Sequence, residues 1–160
     1  MPDEEKDLLE ESLTGYKEKI VPIIKATLKW DKELIFVGMT QQGYEIEFDA
    51  RAQWGCKPTE ALLLSLAGCM AIDVVTILQK MRIHLASFKA ELTGERNLTP
   101  PQYFKSIEMI FHIAGKGLNP DKVDRAISLS RAKYCSVYNS LRQDLEMKVR
   151  YIIEEKGPSS

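Results

Sequence analysis

The sequence predicts an α+β fold, in which short strands occur in consecutive groups around one long apolar helix. The helical pattern covers 58–82, and strand-like runs rich in β-branched and aromatic residues lie on both sides of it. These runs are 23–30, 34–39, 44–48, 88–95 and 103–113. Because consecutive strands usually pair with one another, this order favours antiparallel sheets over a parallel sheet built from βαβ units.

The first three strands are predicted to form an antiparallel meander. A turn of sequence Gln-Gln-Gly at 41–43 separates the second strand from the third. The third alternates apolar and polar residues, which places Tyr44, Ile46 and Phe48 on one face of a half-buried strand.

The remaining elements follow from local signals. Asn119, Pro120 and Asp121 are typical of a helix start, with a capping side chain, proline in the first turn and an acid beside it. A second helical stretch is predicted at 136–141 and a last strand at 146–153.

The predicted domain limits depend on where these patterns begin and end. Residues 1–21 are an N-terminal extension, in which 3–19 form either a short helix or a loose segment. The domain covers 22–154, and 155–160 form a loose tail. The chain of 160 residues is long enough to build one buried core.

Charge and cysteine content narrow the function classes. The formal net charge is -1, and this balance argues against nucleic acid as a partner, since phosphate binding needs a clustered positive surface. The acidic N-terminus lacks the apolar stretch of a secretory signal, and three cysteines is an odd number with no disulfide framework. The sequence therefore predicts a cytoplasmic protein. Cysteine and histidine spacings indicate no metal site, and no cofactor is expected.

The long helix carries a stripe of polar residues. Residues 61–78 are almost entirely apolar, yet Asp73 near their middle disfavours a membrane span. At about 100° per residue, one narrow stripe contains Ser65, Cys69, Asp73, Thr76 and Lys80. We expect such a stripe to line a groove or an interface. The alternative is that these small polar residues ease close packing and that Cys69 is an inert buried thiol.

Cys135 is the second cysteine with a functional signal. It lies between two predicted helical stretches, near the N-terminus of the second, where the helix dipole favours a thiolate. The alternative is simple core packing beside Tyr134 and Val137.

Motifs around the two cysteines point to a known family. Residues 58–69 read Pro-Thr-Glu-Ala-Leu-Leu-Leu-Ser-Leu-Ala-Gly-Cys, and Ile-Asp-Val-Val follows at 72–75. Arg-Ala-Ile at 125–127 leads to Lys-Tyr-Cys-Ser-Val at 133–137. These segments resemble the two cysteine motifs of the OsmC/Ohr family, in the form found in its OsmC-like branch. The resemblance extends over nearly the whole predicted domain.

The resemblance implies an intertwined homodimer, in which antiparallel sheets wrap around two long central helices. It also implies that paired cysteines at the subunit interface reduce organic hydroperoxides. Cys69 is then the peroxidatic cysteine and Cys135 the resolving one, with Glu60 and Asp73 as candidates for a supporting role. The implied partners are a second copy of the chain, an organic hydroperoxide and an external dithiol reductant, without nucleic acid or a membrane.

One position departs from the family pattern. The family places a catalytic carboxylate, paired with an arginine, directly after the proline, where this chain has Thr59. Glu60 follows about 100° around the helix and is expected to serve the helix N-terminus. The sequence assigns no residue to the paired arginine: the first strands offer Lys25, Lys29 and Lys32, and Arg51 lies in the loop. Cys56 is expected to be a loop or packing thiol. The alternative function is a catalytically weak family member that senses redox state or binds a small apolar ligand.

Overall fold

The computed structural model describes residues 2–155 and divides the chain into two units. One unit is Lys17–Ser65, and the other comprises the remaining described residues. Residues 156–160, which make up most of the predicted tail, lie outside the described part. Two three-stranded sheets accompany the helices, so the predicted α+β class is confirmed.

The helices and strands alternate in groups, as predicted. The helices are α1 (Asp3–Ser12), α2 (Pro58–Lys80), α3 (Pro120–Leu129) and α4 (Ser136–Asn139). The strands are β1 (Ala26–Lys32), β2 (Ile35–Thr40), β3 (Glu45–Asp49), β4 (His84–Arg96), β5 (Phe104–Lys116) and β6 (Glu146–Glu154). A π-helical turn, Ser130–Tyr134, joins α3 to α4. The predicted boundaries lie within a few residues of these.

The sheet of the Lys17–Ser65 unit is the predicted antiparallel meander, in the order β1-β2-β3. In the turn between β2 and β3, the Gly43 N–H donates to the Thr40 carbonyl at 2.9 Å. Gly43 has a φ of 92°, a left-handed conformation that glycine adopts without steric strain. This turn sets the pairing register of Phe36 with Phe48.

The apolar face of β3 is more open than the alternation predicts. Tyr44 is 74% exposed and Ile46 is 47% exposed in the single chain, whereas Phe48 is half-buried. The prediction of a half-buried strand is therefore wrong for the isolated chain at two of its three apolar positions. Trp30 and Leu28 on β1 are exposed as well, so this sheet presents a large apolar surface.

The sheet of the other unit has the order β4-β5-β6 and differs from the prediction in one pairing. β4 and β5 form the predicted antiparallel hairpin, but β6 pairs with β5 in parallel. The reason is the connection, because α3, the π turn and α4 cross over between β5 and β6 and return the chain in the same direction. The expectation of antiparallel pairing throughout is thus wrong for the last strand.

The core of this second unit includes one face of β5 and one side of α2. Met70, Val74 and Ile77 of α2 are fully buried, at helical spacing. Met109 and Phe111 of β5 are also fully buried, at the alternate positions that share one face of a strand. By length and composition alone α2 could also cross a membrane, with a mean hydropathy of 2.3 over its most apolar window.

The N-terminal segment, for which the sequence left two descriptions open, forms a helix that packs on its own chain. Leu9 of α1 and Leu13, which follows it, are buried. The Lys80 ammonium, at the end of α2, donates to the Ser12 carbonyl at 2.7 Å. A lysine at this position stabilises the C-terminal carbonyls of α1. The predicted limit at residue 21 between extension and domain stays a prediction.

Packing of α1 is expected to contribute measurably to stability. Leu9 is 3% exposed and its neighbour Leu8 is 60% exposed, so the two leucines form a matched pair. We expect Leu9→Ala to lower the free energy of unfolding by about 2 to 4 kcal/mol, because it leaves a cavity. Leu8→Ala is expected to change it by about 0.5 kcal/mol or less. Urea unfolding at one fixed protein concentration measures both, and equal effects would show that α1 does not pack as described.

Candidate active site

Cys135 lies where the π-helical turn ends and α4 begins. The Cys135 N–H donates to the Ser130 carbonyl at 2.7 Å, five residues back, which is the hydrogen bond of a π turn. Cys135 is then the N-cap of α4, and its sulfur accepts from the Tyr138 N–H at 3.4 Å. The structure thus places Cys135 at a junction between two helical stretches, as the sequence indicates.

The thiol of Cys69, on α2, is near enough to that of Cys135 to contribute to raising the pKa of Cys135. Cys69 is half-buried, and Cys135 is 0% exposed. Both are free thiols, and no two cysteines of the described chain are at disulfide distance. The two cysteines singled out from the sequence are therefore neighbours, one accessible and one enclosed.

Burial decides the protonation state of Cys135. The pKa of this thiol is raised to about 11, chiefly by removal from water, with smaller contributions from the neighbouring Cys69 and Asp73. The Tyr138 N–H lowers it, which is the effect expected from a helix N-terminus, but burial outweighs that effect. The expectation that this position favours a thiolate is therefore wrong in its net direction. Cys135 keeps its proton at neutral pH.

Asp73 is fully buried and has two hydroxyl groups directed at its carboxylate. The Tyr16 hydroxyl donates to Oδ1 at 2.8 Å, and the Ser130 hydroxyl donates to Oδ2 at 2.8 Å. A buried carboxylate needs such donors, because desolvation without them is strongly unfavourable. Burial and the bond to Asp73 together raise the pKa of Tyr16 to about 12. Tyr16 therefore remains a neutral hydrogen-bond donor at physiological pH.

The other residues of the predicted polar stripe have separate partners. The Thr76 hydroxyl donates to the Ile72 carbonyl of its own helix at 2.7 Å, and Lys80 binds the Ser12 carbonyl. Ser65 is exposed and belongs to the Lys17–Ser65 unit. The stripe was expected to line a groove or an interface, but its Asp73 and Lys80 side chains are hydrogen-bonded to the N-terminal segment of the same chain.

Glu60 serves the start of α2, as expected. Its carboxylate accepts from the Lys57 N–H at 2.8 Å, and its side chain is exposed. This geometry is that of a capping carboxylate at a helix N-terminus. It assigns Glu60 a structural contact, and Thr59 is half-buried beside it.

The loop before α2 is organised by a buried aspartate that the sequence analysis did not single out. Asp49 accepts hydrogen bonds from the backbone N–H groups of Arg51, Gln53 and Trp54, at 2.8 to 3.1 Å. The bond from the Arg51 N–H is the main cause that lowers the pKa of Asp49. Cys56 belongs to the same loop, and its thiol contacts the Glu47 carbonyl at 3.6 Å. This contact fits the loop or packing role predicted for Cys56.

Arg51 and Arg131 each interact with partners within their own unit. The Arg51 guanidinium is 3.8 Å from the Glu33 carboxylate within the Lys17–Ser65 unit, and both side chains are exposed. In the other unit, Arg131 donates to the Tyr138 hydroxyl at 3.2 Å and to the Met147 carbonyl at 2.9 Å. Arg131 thereby supports α4, the helix that Cys135 caps.

Tyr16 and Ser130 are the site residues that sequence reasoning missed. Each is 57 residues away from Asp73 along the chain, so no local pattern connects them. The usable signal was Asp73 itself, since a carboxylate in the middle of a buried apolar helix requires hydrogen-bond donors from elsewhere. The hydroxyl of Ser130, which lies five residues before Cys135, was one candidate for such a donor.

The structure brings two free thiols near each other, one half-buried and one enclosed, within an α+β fold. The family described as OsmC-like protein matches residues 49–150, and the chain belongs to this family. Protein YhfA from Escherichia coli strain K12 is 36% identical over 129 residues, which cover 80% of this chain and 96% of the relative. The family supports a role in peroxide resistance or redox chemistry in general.

Solved structures share the fold. A hypothetical protein from Aquifex aeolicus VF5 superimposes with a TM-score of 0.78 at 28% identity, covering 86% of this chain and 100% of the other. An organic hydroperoxide resistance protein OsmC from Legionella pneumophila superimposes with a TM-score of 0.61 at 16% identity, covering 83% and 98%. The second likeness is one of fold.

The raised pKa of Cys135 predicts a distinct pH dependence of its alkylation. Only about one Cys135 in ten thousand is a thiolate at pH 7 when the pKa is near 11. The rate of iodoacetamide labelling of Cys135 in the native protein should therefore rise about tenfold per pH unit through pH 9.5, without a plateau. Peptide mass spectrometry follows Cys135 separately, and urea-unfolded protein provides the control with an ordinary thiol. A plateau below pH 9 in the native protein would contradict the assignment.

Proposed function

We propose that the protein reduces organic hydroperoxides by a two-cysteine mechanism, with Cys69 as the peroxidatic and Cys135 as the resolving cysteine. The observation that carries the proposal is the proximity of a half-buried Cys69 to an enclosed, protonated Cys135. Membership of the OsmC-like family supports it. The name of the Legionella protein, an organic hydroperoxide resistance protein, supports organic hydroperoxides as the substrate class of the proposal.

The burial of the two thiols supports this order of roles. A peroxide must reach the attacking sulfur, and Cys69 is the more accessible of the pair. Cys135 is 0% exposed and retains its proton, so it is the poorer nucleophile toward an external substrate. It is suited to react second, with a sulfenic acid formed beside it.

The chemistry then proceeds in two balanced steps before reduction. The Cys69 thiolate attacks one oxygen of the hydroperoxide, the O–O bond breaks, and the alkoxide takes a proton and leaves as an alcohol. Cys69 is now a sulfenic acid. Cys135 attacks its sulfur, the S–O bond breaks, and a disulfide and one water form. An external dithiol regenerates both thiols by thiol–disulfide exchange and is itself oxidised to a disulfide.

Closing the disulfide requires a local movement, because the sulfurs are not at bonding distance. A disulfide needs Cα atoms roughly 4.4 to 6.8 Å apart. Cys135 lies between a π turn and a helix of only four residues, α4. We place the movement in this segment, since a short helix has few hydrogen bonds to break.

We further propose that the working form is a homodimer in the cytoplasm. The sheet of the Lys17–Ser65 unit exposes Trp30 and Ile46, and α2 exposes Ile72, which is 62% accessible. Apolar surface of this extent is typical of an interaction site. A second copy of the chain is the partner expected from the family resemblance.

A second function is favoured by a specific surface feature. A cleft of about 290 Å³ on the sheet of the Lys17–Ser65 unit is lined almost entirely by apolar side chains. Its lining includes Leu28, Met39, Tyr44, Ile46 and Phe48. Together with Thr59 in place of the family carboxylate, this cleft favours a catalytically weak protein that binds a small apolar ligand.

Peroxide consumption by reduced protein tests the main proposal. With cumene hydroperoxide and excess dithiothreitol, we expect the wild type to turn over. We expect Cys69→Ser to reduce the rate by at least about a hundredfold, because it removes the nucleophile. Cys56→Ser is the matched control and should retain wild-type activity, because Cys56 lies in a loop of the other unit. Undiminished activity in Cys69→Ser would refute the proposal.

The resolving role of Cys135 has its own test. In Cys135→Ser the Cys69 sulfenic acid has no resolving thiol, so dimedone should trap it after one equivalent of peroxide. In the wild type the trapped fraction should be small, because the disulfide forms first. Equal trapping in both proteins would assign resolution to another thiol.

A further inference from the structure

The N-terminal segment brings Tyr16 to the buried carboxylate beside the thiol pair. The Tyr16 hydroxyl and the Ser130 hydroxyl each donate to Asp73, one to each carboxylate oxygen, at 2.8 Å. The Asp73 charge in turn acts on Cys135. Both carboxylate oxygens are thus engaged by hydroxyl donors, close to two thiols that are themselves potential proton donors.

Tyr16 is held in this position by packing as well as by its hydroxyl. Its ring contacts the ring of Tyr134 edge to face, with centroids 4.9 Å apart, and Tyr134 directly precedes Cys135. Upstream, Leu13 is buried and Glu10 lies 3.5 Å from the Arg125 guanidinium on α3. Tyr16 is therefore a fixed part of the site, at the end of a segment anchored on its own unit.

The charged groups of the surrounding elements have identifiable partners. Lys80 of α2 binds the Ser12 carbonyl, and Arg125 of α3 pairs with Glu10. The Lys133 ammonium lies over the Tyr134 ring at 5.2 Å. Cys135 interacts electrostatically with Asp73, and Tyr134 contacts Tyr16, the hydrogen-bond partner of Asp73. Cys69 in turn acts on Cys135.

We propose that Tyr16 is a positioning residue for the thiol pair. Its hydroxyl, together with that of Ser130, binds the Asp73 carboxylate and keeps it from accepting the protons of Cys69 and Cys135. The proposal rests on the proposed function, because it concerns the reactivity of that pair. A carboxylate compensated by two hydroxyls has a weaker field at the sulfurs than one that has lost a donor. The N-terminal segment is thereby part of the reactive site.

Loss of the Tyr16 hydroxyl is predicted to make Cys135 less reactive. In Tyr16→Phe the Oδ1 atom of Asp73 loses the Tyr16 donor, and the less compensated charge disfavours the Cys135 thiolate. The pH profile of Cys135 labelling should move to higher pH, with a rate at pH 8 about three- to tenfold lower. Peptide mass spectrometry after iodoacetamide measures each site, with Cys56 as the internal reference.

Matched variants separate positioning from packing. Tyr151→Phe removes a hydroxyl that bonds the Pro120 carbonyl elsewhere in the same unit, and it should leave the profiles unchanged. Ser130→Ala removes the other donor and should slow labelling in the same direction as Tyr16→Phe. In an Asp73→Asn background, which carries no charge to compensate, Tyr16→Phe should change the rates by less than about twofold. If Asp73→Asn does not fold, the labelling rates of Tyr16→Phe and Ser130→Ala, compared with the rate of Tyr151→Phe, test the proposal.

Several results would overturn the proposal. Labelling in Tyr16→Phe at the wild-type rate, or faster than the wild type, would show that Tyr16 does not compensate Asp73. An equal slowing in the Asp73→Asn background would show that the effect is packing. Labelling needs no peroxide, so the two proposals can fail separately. If the protein lacks peroxidase activity but Tyr16→Phe slows labelling as predicted, only the proposed function is refuted. If the protein reduces peroxide but Tyr16→Phe does not change labelling, only this inference is refuted.

Discussion

The buried carboxylate of Asp73 is the constraint on which the second unit depends, because a charge at this depth is tolerated only with donors in place. Those donors come from two other segments, Tyr16 after α1 and Ser130 at the start of the π turn. Asp73 therefore ties the N-terminal helix, the central helix and the segment of Cys135 together. An apolar residue at this position would fill the core without joining these segments.

The same arrangement gives the two thiols different environments and therefore different reactivities. Burial removes Cys135 from solvent and keeps its proton on, while Cys69 stays partly accessible on α2. A helix N-terminus is usually expected to activate a cysteine, yet here its amide contributes less than desolvation does. The environment of Cys135 is thus better suited to a partner thiol than to the first nucleophile.

The sequence was most informative where a pattern is local. The meander, the Asn119 cap and the capping contact of Glu60 follow from alternation and helix-start signals, and the structure has all three. The parallel pairing of β6 depends on how the intervening helices cross over, which local propensity does not encode. Tyr16 could not be paired with Asp73 for the same reason, since only the folded chain brings them together.

The central claim is that Cys69 and Cys135 form one redox pair, and disulfide mapping tests it most directly. Reduced protein is treated with one equivalent of cumene hydroperoxide, quenched with acid and digested without reductant. We predict a mass loss of about 2 Da per chain and a peptide in which Cys69 is linked to Cys135. A disulfide that involves Cys56, or consumption of peroxide without any Cys69–Cys135 link, would contradict the account.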